Sequence, residues 1–194
     1  MAQRRVEVLE KKIVYDFQKI RFRVEEVRLK HERLDGRLSE PLTRLNLDRG
    51  DGAAAVLFDP QAKTILLIEQ FRYSTHEKGH GWLWELPAGI VNPDEQPAET
   101  MRRELVEETG YQVPTLRHVY TFYLSPGGSS ERIFLYYAEV SPKLKTSAGG
   151  GLPAEQEEIR LHVTPLSEAL AMIERGQICD AKTIIGLQWL RLRQ

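Results

Sequence analysis

Apolar residues fall along the chain in two patterns. Over residues 53–58 (AAAVLF) and 64–71 (TILLIEQF) they run almost unbroken. Such runs predict strands buried on both faces, and Asp59-Pro60-Gln61 between them predicts a turn, so the two form a central hairpin. Elsewhere apolar and polar residues alternate, the mark of a half-exposed strand. Residues 12–30 alternate through Phe22, Val24, Val27 and Leu29, with a slip at Glu25-Glu26 that predicts a bulge. After the turn signal Leu34-Asp35-Gly36, a second extended run passes through Leu42, Leu45 and Leu47. Residues 115–123 (TLRHVYTFY) and 132–140 (RIFLYYAEV) predict two more strands, joined by Ser125-Pro126-Gly127-Gly128-Ser129-Ser130. Short strands are expected at 82–89 (WLWELPAG) and 159–163 (IRLHV), with 73–82 a polar loop and 147–151 (SAGGG) a hinge.

A helix is predicted over 97–109. Pro97 suits a first turn, where its missing N–H costs nothing, Glu99 favours the positive end, and Gly110 suits the residue after the last turn. Ala98, Met101, Leu105 and Thr109 share one face and would pack on a sheet. Two further helices are expected, one from Pro165 to Gly176. The other is capped by Asp180 and carries Ile184, Ile185, Leu187, Trp189 and Leu190 as its apolar positions. Residues 1–47 form a ribbon too small to bury a core of its own. It must pack on the main domain, residues 48–194, or on a second subunit.

Composition narrows the function. A net charge of −1 provides no global basic field for nucleic acid or an anionic membrane. Cys179 is the only cysteine, which excludes an intrachain disulfide, fits a reducing cytoplasm and reads as a small buried hydrophobe. The N-terminus lacks an apolar stretch of signal-peptide length, and no run reaches the ~18 apolar residues of a membrane span. None of His31, His76, His80, His118 and His162 has metal-ligand spacing.

The chemistry concentrates in residues 89–111, GIVNPDEQPAETMRRELVEETGY. Glu104, Glu107 and Glu108 form E-x-x-E-E. At about 100° per residue on a helix they occupy one quadrant, where like charges repel. A hard divalent cation such as Mg²⁺, held by carboxylates and substrate phosphates, removes that conflict. The competing reading is a solvated acidic face.

These residues resemble the Nudix box, G-x5-E-x7-R-E-U-x-E-E-x-G-U with U aliphatic, at Gly89, Glu95, Arg103, Glu104, Leu105, Glu107, Glu108 and Gly110. Tyr111 departs from the aliphatic preference at a packing position. RGDGAAAV, EQFR, SPGGSSER and AKTIIGLQWL extend the resemblance, over most of the chain, to bacterial ADP-ribose and nucleoside-diphosphate-sugar pyrophosphatases. AGGG and DAKT also resemble the GDP-mannose-hydrolysing members. The resemblance implies an α/β fold, a Nudix α/β/α sandwich with a mixed central sheet plus N-terminal antiparallel strands. It also implies a homodimer that exchanges those strands.

For the site, the resemblance implies Mg²⁺, with Mn²⁺ a possible substitute, held by Glu104, Glu108 and the Ala88 carbonyl. Glu107 is a further ligand or orients one. Arg103 and Glu95 form a structural clamp. The base comes from the loop 147–158, with Glu155 first and Glu157 second. Arg72, Arg49, Glu131, the Pro126 loop and Phe22 are placed at the substrate, with surface ion pairing or packing the plainer alternatives. Trp82 and Trp84 at strand positions read as core more readily than as base-stacking groups. The implied reaction is hydrolysis of ADP-ribose to AMP and ribose 5-phosphate. The alternatives are GDP-mannose or another nucleotide sugar, RNA decapping, and a Nudix-fold regulator that binds such ligands uncut.

Overall fold

The computed structural model describes residues 4–152, 154 and 157–194. The chain separates into two units, one the chain through Gly50 together with Tyr123–Arg132, the other Asp51–Phe122 with Ile133–Gln194. The expected boundary at 47/48 omitted the Pro126 segment from the N-terminal unit.

The N-terminal unit is an antiparallel sheet in the order β1 (Val6–Phe17), β2 (Phe22–His31), β3 (Leu42–Asp48). The sequence predicted one strand over 12–30. The chain instead reverses at the 3₁₀ turn Gln18–Ile20 and at Arg21, whose φ is +37°. No Gly or Pro announces that turn, so the alternation hides it. The expected irregularity lies on the partner strand, where the register shifts between Ile13 and Tyr15, opposite Glu25 and Val24. The 123–132 segment is tied to β3 by Leu47 N–H donating to Gly128 C=O at 2.8 Å and Ser130 N–H donating to Leu47 C=O at 3.2 Å.

The second unit is built on a mixed sheet, β10-β5-β4-β9-β8, comprising β4 (Gly52–Asp59), β5 (Thr64–Phe71), β8 (Arg117–Tyr123), β9 (Arg132–Glu139) and β10 (Ile159–Pro165). Two short strands attach to it, β6 (Trp82–Glu85) on β5 and β7 (Ala88–Ile90) on β4. β4 pairs parallel with β9 and antiparallel with β5 and β7. Its alternate residues enter two different cores. Ala54, Val56 and Phe58 pack with α3 (Leu166–Glu174) and α4 (Ala181–Arg191), through Leu166, Ala169, Met172, Leu187 and Leu190. Ala53, Ala55 and Leu57 pack with Met101 and Leu105 of the helix that follows β7. A central strand buried on both faces has no polar face to show, hence the unbroken AAAVLF run.

That helix spans the predicted 97–109, but in two forms, α2 (Pro97–Glu104) and a π-helical turn over Leu105–Thr109 that ends at Gly110, φ +76°. The loop predicted at 73–82 contains a short helix, α1 (Tyr73–His76). Cys179 is exposed, and its neighbour Ile178 fills the buried position instead. Among the described residues, no helix is long and apolar enough to cross a membrane.

Candidate active site

The π turn widens the last part of the box helix, a deviation found at functional sites more often than elsewhere. The carbonyls left open at the helix end are met by the glycine segment: Gly150 N–H donates to Glu108 C=O at 2.8 Å and Gly151 N–H to Glu107 C=O at 3.1 Å. SAGGG was expected to be a hinge. It is a docked cap, with Gly149, Gly150 and Gly151 all at positive φ. A Cβ on Gly149 would lie 2.6 Å from the Glu108 carbonyl oxygen, so no other residue fits there without displacing the helix end. The segment leading to the predicted base is thereby fixed against the helix that carries Glu104, Glu107 and Glu108. Glu155 itself lies outside the described residues.

The box carboxylates sit in three environments. Glu108 is 2% exposed, and its Oε2 accepts from Ala88 N–H at 3.0 Å. Burial drives its pKa well above the ordinary carboxyl value, and the nearby Glu104 adds to the shift. Glu104 is raised to about 7, by burial first and then by Glu107 and Glu157, against the opposing pull of Arg103. Glu107 and Glu104 both reach Arg103 Nη1, each at 2.9 Å. Glu95 is the more distant clamp partner, 3.6 Å from Arg103 Nε, and is itself held by Asn92 at 2.9 Å. Gly89 is a required close approach, because a Cβ there would overlap the Glu104 carboxylate.

Among the described residues, no group of three or more His, Cys, Asp or Glu side chains converges closely enough to hold a metal ion. Arg103 engages Glu104 and Glu107, while Glu108 turns to the Ala88 amide. The donor set nevertheless fits a hard cation. Two carboxyls are held at raised pKa, by burial first and then by like-charged neighbours, and a third stands one helical turn from Glu104.

Arg72 is anchored by Glu85, with Nη2 at 2.7 Å and Nε at 3.2 Å from the same oxygen. Burial opposes its charge, but Glu85, then Glu108 and Asp180, outweigh it and raise its pKa. The other Glu85 oxygen lies 3.4 Å from Lys182 Nζ, which also reaches Asp180 at 3.0 Å. Asp180 is the N-cap expected for α4, accepting from Thr183 N–H at 3.0 Å, while the Thr183 hydroxyl accepts from Leu86 N–H at 2.8 Å. Sequence reasoning missed Glu85 and Lys182. The available signal was a charge in the otherwise apolar WLWELP and a lysine two residues past a cap.

Glu157 stands close enough to raise the pKa of both Glu104 and Glu108, with its backbone N–H 3.4 Å from Leu152 C=O. In the N-terminal unit, Arg49 Nε is 3.7 Å from Glu131. Pro126 lies in a turn closed by Gly128 and Ser129 N–H groups on Ser125 C=O, and Phe22 meets Tyr15 edge-on at 6.3 Å. Trp84 joins the core edge and lies 3.9 Å from the His162 ring, whereas Trp82 is partly exposed and contacts Phe71.

The NUDIX domain family model matches residues 48–185. The GDP-mannose pyrophosphatase of Escherichia coli O1:K1 is 42% identical over 147 residues, covering 75% of each chain. That of Cronobacter sakazakii is 44% identical over 148 residues, 75% of this chain and 76% of the other. A crystal structure of an ADP compounds hydrolase matches with a TM-score of 0.72 at 20% identity, covering 98% of this chain and 95% of that one, a likeness of fold.

Proposed function

The chain belongs to the Nudix family, and on that premise we propose that it is a divalent-metal-dependent pyrophosphatase that splits nucleoside diphosphate sugars into a nucleoside monophosphate and a sugar phosphate. The observation that carries this is the pair of neighbouring carboxyls with pKa raised by burial, Glu104 and Glu108, on the box helix. We assign Mg²⁺ to Glu104, Glu107, Glu108 and the Ala88 carbonyl, with Mn²⁺ as a substitute. When bound, such ions neutralise diphosphate charge and lower the pKa of a water.

The protein's own part is to position and to move one proton. Arg72, held in place by Glu85, presents its remaining N–H groups to a phosphate. Arg103 and Glu95 hold the box, and a glutamate of the 147–158 segment takes the proton of the attacking water. Glu155 is the proposed base, and Glu157 tunes the charge around Glu104 and Glu108. Glu155→Gln is expected to lower kcat by about 10²–10⁴-fold with little change in KM, and Glu157→Gln by less. Nearly full turnover in Glu155→Gln would overturn the assignment.

GDP-mannose and ADP-ribose are the two substrates proposed, the first supported by the shared name of the relatives at 42–44% identity. Steady-state turnover of GDP-mannose, ADP-ribose, ADP-glucose and NADH, with products identified, ranks them. Absence of turnover on both sugar nucleotides would reject the reading.

The raised carboxyls set a pH dependence. Between the ordinary value of 4.5 and about 7, Glu104 holds a proton in the folded state that the unfolded chain has released. Stability of the metal-free protein therefore falls as pH rises through that window. Mg²⁺ displaces the proton, so its stabilisation grows from pH 5 to pH 8 and its binding releases protons. Thermal melts with EDTA and with Mg²⁺ test this, and a Mg²⁺ effect that shrinks with pH would contradict it.

A strand-exchanged homodimer is also proposed. β1 is exposed along its whole length and presents Val6, Val8, Leu9, Ile13 and Val14 to solvent, an apolar edge that a second copy would cover. Sedimentation at the monomer mass of 22.3 kDa at micromolar concentration would refute it.

A further inference from the structure

At the C-terminal end of α4 is a cleft of about 340 Å³, whose lining includes Arg117, Tyr137, Glu139, Trp189 and Arg193. The Arg117 guanidinium lies 5.1 Å from the centroid of the Tyr137 ring and 5.2 Å from that of Trp189. Arg193 lies 4.5 Å from the Trp189 ring and donates to the Trp189 carbonyl at 3.1 Å. The two aromatic rings are themselves 5.3 Å apart. Among the described residues, neither guanidinium is in an ion pair, in contrast to Arg72 and Arg103. The carboxylate that lines the cleft, Glu139, accepts from the Tyr137 hydroxyl at 3.3 Å.

A guanidinium packed on an aromatic ring uses its flat face and keeps in-plane N–H donors for a fork; Arg193 gives its Nη1 to the Trp189 carbonyl and offers Nε and Nη2. Two guanidinium groups face one cleft against the Glu139 carboxylate, which keeps its charge when it accepts from the neutral Tyr137 hydroxyl, so the recess carries one positive charge in excess and is floored by the buried Trp189 and Leu190. Planar bidentate donors of this kind match the oxygens of phosphate. The volume lies at the lower end of the range for small-ligand sites. We propose that this cleft binds a phosphate dianion, either free or as the monoester of a small sugar. The site lies at the far end of α4 from Asp180 and Lys182, a separation of roughly 16 Å along the helix, and it does not depend on the catalytic reading.

The test uses the intact protein in EDTA, which keeps metal-borne phosphate out of the measurement. The protein carries three tryptophans, so its indole N–H signals can be followed one by one by NMR. Inorganic phosphate and ribose 5-phosphate are titrated at ionic strength fixed with chloride. The Trp189 signal, assigned by its loss in Trp189→Phe, is expected to shift saturably at low-millimolar ligand, while those of Trp82 and Trp84 stay in place. Tighter binding of ribose 5-phosphate identifies a monoester as the ligand, and equal affinity identifies free phosphate. Arg117→Gln, a single exposed substitution, should weaken binding by about tenfold, and Arg117→Gln/Arg193→Gln should abolish it. An unmoved Trp189 signal at tens of millimolar phosphate, or an undiminished shift in Arg117→Gln, would overturn the proposal. So would the same shift produced by chloride alone.

Discussion

Glu108→Gln is expected to lower kcat on the order of 10²–10³-fold while stabilising the metal-free protein. The carboxylate is 2% exposed and receives one backbone donor, Ala88 N–H. An ionised group so placed gives up most of its hydration for one hydrogen bond and lies near a like-charged neighbour, Glu104. Glutamine has the same shape, can still accept from Ala88, and removes the charge. Above neutral pH the metal-free variant should gain about 1 kcal/mol or more, since replacing an uncompensated buried charge by a neutral isostere is favourable. Its kcat should fall on the order of 10²–10³-fold with the loss of electrostatic stabilisation, and added Mg²⁺ should no longer raise its melting temperature as it does for the parent. Activity above a tenth of the parent, or a destabilised metal-free protein, would show that Glu108 has a structural role.

Glu85→Ala should have the largest effect on stability. Glu85 is nearly buried and holds two cations, Arg72 on one oxygen and the buried Lys182 on the other. Removing it leaves both near each other with Asp180 as the remaining partner of Lys182. Breaking a buried ionic network in this way costs about 3–5 kcal/mol, a fall in melting temperature of roughly 6–20 °C for a chain of this size. Glu85→Gln keeps the shape and one acceptor and should cost less. Glu85→Ala with Lys182→Met should recover part of the loss, because the stranded charge is gone. The released Arg72 should raise KM more than it lowers kcat. Equal losses in Glu85→Ala and the double variant would mean that packing, not charge, dominates at this position.

The box helix was legible because its signals are local. Pro97 starts it, Gly110 ends it, and Met101 and Leu105 mark the face that reaches the core. The hairpin β4–β5 was equally clear, its apolar runs reflecting burial on two faces. The β1–β2 reversal was not, because Gln18–Arg21 turns without Gly or Pro and so leaves no break in the extended pattern. The glycine segment 149–151 was recognised as unusual but assigned the wrong duty. Its glycines read as flexibility in sequence, and their positive φ values serve as a rigid cap over the Glu107 and Glu108 carbonyls at the helix end. The Arg72–Glu85–Lys182–Asp180 contacts went unread for another reason. The residues are distant in the chain and meet only when α4 packs against β6 and the strand end after β5. Local pattern therefore pointed to the proposed metal ligands, while the groups that hold Arg72 depend on tertiary packing.

The proposed activity is cleavage that requires a divalent ion held by the box carboxylates. Its most direct test is to incubate the EDTA-treated protein with GDP-mannose and with ADP-ribose, with and without added Mg²⁺, and to quantify both products. The account predicts no product without metal and, with Mg²⁺, equimolar nucleoside monophosphate and sugar phosphate from at least one substrate. Saturable binding of either nucleotide with neither cut in Mg²⁺ or Mn²⁺ would contradict it and identify a Nudix-fold binding protein instead.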